Sequence, residues 1–421
     1  MATKAVAEEC PAAAGLQDTA DGLRYVARQP ILDLRGRLHA YELLFRSGPE
    51  QGFRGDSDLA TRTMLDNTVI FGLERLTGGV SAFVNCTREA LTDNLVEILP
   101  PGICVLEILE TVEPTPELVD ACRRLKKAGF RLALDDFIWK PGYEPLIELS
   151  DYIKVDFLLS GEKERHELLN RLHGAPVALL AEKIETQEQY RTACSEGFTL
   201  IQGYYFCRPE VIQNRKIPPN RITQIEILRL LRQENIDLQE LCPLVKQDTS
   251  LTYRLLRLIN SPVYGMRQQI NSVKMAMIAV GEVGFRRLAT LAITSELNGD
   301  QPVELLRMAF IRARFCELAA EPCGLDSTEQ YLLGMLSLLP AMLRVSMQEL
   351  TPSLPLREEV CIALMGAPIP ERKLLDWLLA NEQGNWAACD AIAAENGLDR
   401  ETLLRSYEQA VVWAEAAVRF A

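Results

Sequence analysis

From residue 23 to about residue 210, the chain repeatedly sets a short, β-rich apolar run ahead of an amphipathic helical stretch, and this alternation restricts the fold more than any other feature. Such a pattern builds an α/β sheet or barrel, because each strand needs a helix to cover its outer face. Eight runs read as strands: Tyr25–Leu34, Leu38–Arg46, Val80–Asn85, Ile103–Glu107, Arg131–Asp135, Tyr152–Val155, Val177–Glu182 and Thr199–Tyr204. Between them, Glu117–Gly129 has helical spacing, with Lys126 and Lys127 in the last turn and Gly129 just beyond as stop signals. The count predicts an eight-stranded α/β barrel of the (β/α)8 type.

After Pro218-Pro219 the pattern changes. Ile222–Glu234, Thr252–Ile259, Val303–Ala320 and Glu401–Phe420 carry helical periodicity with few β-branched runs, so this half reads as all α. The junction is Lys216-Ile217-Pro218-Pro219-Asn220, where two prolines stiffen the chain and Asn220 or Thr223 is placed to cap the next helix. A chain of 421 residues exceeds what one core usually organises. The expected division is a polar N-terminal tail over residues 1–22, a barrel over 23–215 and a helical domain over 216–421.

The first residues lack the basic and then apolar regions of a secretion signal, and no apolar run reaches the ~18 residues a membrane span needs. A cytoplasmic protein is expected. The formal charge of −13 opposes binding to polymeric nucleic acid, whose affinity comes largely from Lys and Arg neutralising phosphates. Eleven scattered cysteines, with no C-x-x-C pair, read as free thiols rather than disulfides or zinc ligands.

The chemistry lies where the first half places its polar residues. Glu42, Asn85, Glu107, Asp135 with Asp136, Lys154, Asp156, Glu182 and Gln202 sit within or just after apolar strands. In a parallel barrel the C-terminal strand ends converge on one mouth. Converging carboxylates repel unless something positive sits among them, and hard cations such as Mg²⁺ or Mn²⁺ take oxygen ligands. A one- or two-metal site follows from the whole set, although any single Asp at a strand end is more often a cap or a solvated loop residue.

Seven segments carry a family resemblance in chain order: Arg28-Gln29-Pro30-Ile31, Glu42-Leu43-Leu44-Phe45-Arg46, Glu107-Ile108-Leu109-Glu110, Asp135-Asp136-Phe137, Lys154-Val155-Asp156, Ala181-Glu182-Lys183-Ile184-Glu185-Thr186 and Gln202-Gly203-Tyr204. They resemble the motifs of EAL-domain cyclic-di-GMP phosphodiesterases and cover nearly all of residues 25–209. The resemblance implies that Glu42, Asn85, Glu107 and Asp135 hold metal, with Asp136 at a second metal, Lys154 beside the attacking water and Glu182 as general base. Gln202 and Glu185 orient the metal–water cluster, Arg46 meets a phosphate, Gln29 lies close to the nucleotide, and Glu110 and Asp156 belong to the surrounding shell.

The departures from that pattern are specific. A Gly-Thr-Gly turn usually follows the Asp pair; here Phe137-Ile138-Trp139-Lys140-Pro141-Gly142 takes its place, and its bulk and rigidity are expected to displace the metal-facing edge. The spacing to Lys154 is shorter than usual, Leu109 replaces a common Thr, and Lys183 replaces a Gly beside the presumed base.

In the second half, Leu255–Gly265, Ile270-Asn271-Ser272-Val273 and Ala279-Val280-Gly281 resemble HDOD domains, relatives of metal-dependent HD phosphohydrolases that lack the metal ligands. All three histidines, His39, His166 and His173, lie in the first half, and Gly334-Met335-Leu336-Ser337-Leu338 stands where an HD enzyme would read Gly-Leu-Leu-His-Asp. A histidine–aspartate metal centre therefore cannot be assembled in this half. Six basic residues against one acidic between Arg254 and Arg287 read more readily as helix-end and solvated charges than as a docking face, and Trp377, Trp386 and Trp413 read as packing. No Gly-x-Ser-x-Gly or phosphate-cradling Gly-rich motif is present.

Two functions fit. One is a metal-dependent phosphodiesterase linearising cyclic-di-GMP to 5′-pGpG, with the helical half contacting a signalling protein. The other is a degenerate barrel that binds cyclic-di-GMP, or protein alone, without turnover. Both leave room for a homodimer.

Overall fold

The computed structural model describes residues 24–47, 73–207, 219–231, 238–299, 301–354 and 356–420. The expected tail and the junction at 216–218 lie outside them, as does the side chain of Arg46. All eight expected strands form, within one to two residues at most ends: β1 Arg24–Asp33, β2 Leu38–Ser47, β3 Ser81–Cys86, β4 Cys104–Ile108, β5 Arg131–Leu134, β6 Tyr152–Asp156, β7 Ala178–Glu182 and β8 Leu200–Gln202. They close a barrel in chain order.

The barrel is not all parallel, as the sequence reading assumed. β1 runs antiparallel to both β2 and β8, while β2 through β8 run parallel to one another. The link after Asp33 is a tight turn in which the Asp33 carboxylate accepts from the Arg35 and Arg37 N–H groups at 2.8 and 2.9 Å. So short a link makes a hairpin, since a parallel crossover needs about a dozen residues. The hairpin register sets Gln29 opposite Glu42.

Strand side chains alternate between faces, and the inward-facing ones stack in layers. The floor takes one apolar side chain from each strand: Ile31, Ala40, Phe83, Val105, Ala133, Tyr152, Leu180 and Leu200. Two positions along each strand lies the next inward layer, composed of Gln29, Glu42, Asn85, Glu107, Asp135, Lys154, Glu182 and Gln202. For the seven parallel strands this means two residues later; for β1 it means two residues earlier, because that strand runs the other way. The barrel is thus plugged below by hydrocarbon and open above onto a polar ring.

Helices cover the outside. Pro116–Lys127 begins on Pro116 with Thr115 as N-cap, buries Leu118, Val119, Cys122 and Leu125, and stops before Gly129 at φ 94°. Fully burying each such aliphatic side chain contributes about 1.5–3 kcal/mol.

The second half is helical, as read. Val303–Ala320 runs through its centre, buried along most of its length, against Ser327–Leu336 and Arg400–Val418. The helix Pro219–Leu231 includes both Asn220 and Thr223, so neither stands ahead of it as a cap. Gly281, at φ 72°, breaks Val273–Asn298. Trp377 is buried and stacks on Phe315 at 5.3 Å. Three of the basic residues pair internally, Arg254 with Glu296, Arg286 with Glu282 and Arg287 with Glu317. None of the ten described cysteines forms a disulfide, and no described helix is long and apolar enough to cross a membrane.

The hydrophobic core of the helical half takes in Leu32 and Phe206 from the barrel. Around it, Tyr41 Oη donates to both Glu304 carboxylate oxygens at 2.8 and 2.9 Å, and Arg28, lying over the Tyr41 ring, pairs with Glu415 at 2.9 Å. The two halves therefore share one buried contact through the β1–β2 hairpin.

Gly334 permits a close helix crossing, since a Cβ there would lie 2.3 Å from the Arg312 carbonyl oxygen. Gly334→Ala is expected to destabilise the protein by about 2 kcal/mol or more through overpacking, read as a lowered Tm in thermal unfolding followed by circular dichroism.

Candidate functional site

The polar ring is organised by Lys154 at the centre of β6. Its Nζ lies 2.6 Å from Glu107 Oε1, 2.8 Å from Asp135 Oδ1, 2.9 Å from Glu182 Oε1 and 3.3 Å from Glu42 Oε2. Four carboxylates from four strands thus face one ammonium, which is 1% exposed. Burial alone would lower the lysine's pKa, but these neighbours push it well above its ordinary value, so it stays charged.

One positive charge does not balance four negative ones. Burial, then repulsion from Glu42, pushes Glu107 well above the ordinary carboxylate range despite Lys154. Burial likewise raises Asp135, and raises Glu182 strongly, against the opposing pull of Lys154. Glu42 goes the other way: burial favours its neutral form, yet Lys154 and the amides of Gln202 and Asn85 outweigh it and hold the pKa low. Gln202 Nε2 donates to Glu42 at 2.6 Å and Asn85 Nδ2 at 3.2 Å.

The unsatisfied groups reveal what the ring suits. Asn85 Oδ1, Glu107 Oε2, Asp136 Oδ1, Glu182 Oε2 and Gln202 Oε1 are buried without a hydrogen-bond donor. Each is an acceptor oxygen, and buried acceptors are normally satisfied. A hard divalent cation supplies what such a set lacks, so the donor chemistry fits Mg²⁺ or Mn²⁺. Asp135, Asp136 and Glu182 each bring a carboxylate oxygen within 4.8 Å of the others.

The remaining expected residues are placed less centrally. Asp136 adopts φ 39° just beyond β5. Asp156 turns to its own loop, accepting from the Leu158 and Leu159 N–H groups at 2.6 and 3.1 Å. Glu110 is exposed at the rim, and Glu185 is half-buried ahead of Gln187–Glu196. Gln29 joins the ring, accepting from Gln202 Nε2 at 3.1 Å.

The substituted loop does not carry Asp135 away from the ring. Phe137 N–H donates to the Lys154 carbonyl at 2.9 Å and the Phe137 ring is buried against Tyr143, which ties the start of the loop to β6. Bulk is taken up further along, where Ile138 is exposed and Trp139 lies beneath Arg171.

Lys183 is the feature the sequence reading undervalued. It sits at φ 55°, in the left-handed region, and its ammonium pairs with Asp156 and lies 3.5 Å from Asp136. Burial would lower its pKa, but these carboxylates raise it. The sequence marked a Gly replaced by a Lys, and a backbone position that favours glycine was the available signal.

The sequence model of the EAL domain matches residues 81–209, and that of the HDOD domain matches residues 217–353. The cyclic di-GMP phosphodiesterase CdgJ of Vibrio cholerae is 33% identical over 398 residues, 93% of this chain and 92% of that protein. The uncharacterised protein YuxH of Bacillus subtilis is 33% identical over 400 residues, 92% of this chain and 97% of its own length. Among solved structures, Klebsiella pneumoniae BlrP1 in a calcium and cyclic-di-GMP complex is 24% identical, covering 44% of this chain and 55% of that one with a TM-score of 0.37. The chain belongs to the family that joins an EAL barrel to an HDOD domain. β1 and β2, which supply Gln29 and Glu42, precede the matched EAL segment and complete its ring.

Because Glu107, Asp135 and Glu182 have raised pKa values, they retain protons to higher pH than free carboxyls, and a cation must displace those protons. Mn²⁺ affinity should therefore keep rising with pH above the ordinary carboxylate range, with net proton release on binding, measured by calorimetry in buffers of different ionisation enthalpy.

Proposed function

We propose that this protein is a cyclic-di-GMP signalling protein whose barrel hydrolyses cyclic-di-GMP to 5′-pGpG in a metal-dependent reaction. The observation that carries the reading is the paired state of Glu182: Lys154 anchors Oε1 at 2.9 Å, while Oε2 is buried without a donor. A carboxylate so held, with its pKa raised by burial, has the proton affinity a general base needs. The relationship to CdgJ over most of both chains supports the same substrate.

In this reading Glu42, Asn85, Glu107 and Asp135 hold one cation and Asp136 contributes to a second, Mg²⁺ or Mn²⁺ in either case. Bound cations supply positive charge for the phosphodiester oxygens and favour deprotonation of the attacking water. Glu182 takes the proton from that water as its oxygen bonds to phosphorus. The bond from phosphorus to the 3′ oxygen breaks, and the released 3′ oxygen takes a proton from solvent, to which Glu182 returns the one it accepted. Lys154 keeps Glu182 and Glu107 in place and offsets part of their charge. Gln202 orients Glu42, and Arg46 and Gln29 are assigned to the nucleotide.

The helical half is proposed as a protein-interaction module. The chain has no histidine beyond residue 210, so this half cannot assemble a histidine–aspartate metal centre, and Ser337 accepts a hydrogen bond from Arg312 instead. We place the domain division near residue 216, giving a barrel over 23–215 and a helical domain over 216–421. Exposed Ile138, Leu158 and Leu159 support a homodimer.

A second reading, a cyclic-di-GMP receptor without turnover, is favoured by Lys183, whose ammonium already neutralises Asp136 and Asp156. Product formation from cyclic-di-GMP with Mg²⁺ and with Mn²⁺ separates the two. Wild type should release 5′-pGpG, and Glu182→Gln should lower kcat at least about 100-fold with nucleotide binding kept. Binding without product at any metal concentration would establish the receptor. Lys183→Gly should then tighten Mn²⁺ binding several-fold and restore product, because it removes a competing charge at the second cation position.

A further inference from the structure

The polar ring is connected to the helical half by a chain of hydrogen bonds. Glu42 Oε2 accepts from Gln202 Nε2 at 2.6 Å, and the same nitrogen donates to Gln29 Oε1 at 3.1 Å. Gln29 Nε2 in turn donates to the backbone carbonyl of Glu382 at 3.4 Å. Tyr204 Oη donates to that carbonyl as well.

Glu382 ends the helix Lys373–Glu382, and carbonyls in a helix's last turn lack intrahelical partners. Here barrel side chains supply the donors. The Glu382 carboxylate is gripped by Arg312, whose Nε and Nη2 donate to its two oxygens at 2.9 and 2.7 Å, both groups being buried. Arg312 belongs to the central helix Val303–Ala320. Gly384 follows at φ 67°, and a Cβ there would come within 2.7 Å of Leu44 Cδ1, two residues beyond Glu42 on β2. Residues 382–384 are thus seated on the β1–β2 hairpin at the mouth.

This carbonyl decides which way Gln29 points. With the amide reversed, its oxygen would face the Glu382 oxygen and its NH₂ would face the NH₂ of Gln202, and both contacts would be repulsive. Gln29 therefore presents its oxygen to Gln202, which leaves Gln202 to present its NH₂ to Glu42.

We propose that the helical half orients Glu42 through this relay, making Arg312 and Glu382 positioning residues for the barrel's cation site. The inference rests on the reading of Glu42 as a metal ligand. A partner that draws residues 382–384 away from the hairpin loosens Glu42 without touching the carboxylate ring.

The test is Mn²⁺ affinity by calorimetry on the full chain, for wild type, Gln29→Met, Gly384→Val and the double variant. Gly384→Val forces a β-branched side chain into a left-handed position against Leu44, lifting the loop while changing no residue of the ring itself. Each single variant should weaken Mn²⁺ binding about tenfold, and the double variant no more than either single, because both cut the same relay. Should Gly384→Val not fold, the pair Arg312→Met with Glu382→Met replaces the buried ion pair by apolar side chains and releases the same helix end, with the same loss expected. Affinity unchanged in the helical-half variant, or losses that multiply in the double variant, would overturn the relay while leaving the phosphodiesterase reading intact. Wild type that binds no Mn²⁺ would overturn that reading and the relay with it.

Discussion

One ammonium lets four carboxylates share the mouth of a barrel whose floor is hydrocarbon. Lys154 lies within 3.3 Å of Glu42, Glu107, Asp135 and Glu182, and these carboxylates more than offset its own desolvation. Removing one partner of a buried pair typically costs about 3–5 kcal/mol, since the other charge stays behind unpaired. The arrangement is also deliberately incomplete in charge. Raised pKa values at Glu107, Asp135 and Glu182 and donor-free oxygens around them describe a ring that further positive charge would stabilise.

That ring exists because of strand periodicity. A side-chain period of two puts an apolar residue from each strand in the floor and a polar one from each strand directly above it. The antiparallel β1 enters the same layers with its sequence reversed, which brings Gln29 level with Glu42. The same hairpin then serves the helical half from both faces. Outward-facing Arg28 and Tyr41 meet Glu415 and Glu304, while inward-facing Gln29 and Leu44 meet residues 382–384. Movement of the helical body relative to the hairpin therefore has a direct physical path to the ring.

Much of this was legible beforehand. The eight strands and their polar ends, the helix from Pro116 and its stop at Gly129, and the central helix Val303–Ala320 follow from local periodicity and capping chemistry. The reversed β1 was readable in principle, because four residues between Asp33 and Leu38 leave no room for a crossover, yet the repeating βα pattern of the rest obscured it. Lys183 was visible as a residue out of place, but its pairing with Asp136 and Asp156 was not, since those carboxylates come from other strands.

The sequence by itself determined which residues line the barrel, because facing is set by a period of two within each strand and needs no knowledge of the other strands. It also ruled out a histidine–aspartate metal centre in the helical half, through the absence of histidine there. Only the tertiary structure decided that Lys154 touches four carboxylates at once, that the loop from Phe137 leaves Asp135 in the ring, and that Arg312 holds Glu382 above Gln29. Those contacts join residues far apart in the chain, and their geometry is set by barrel closure and helix packing rather than by any local pattern.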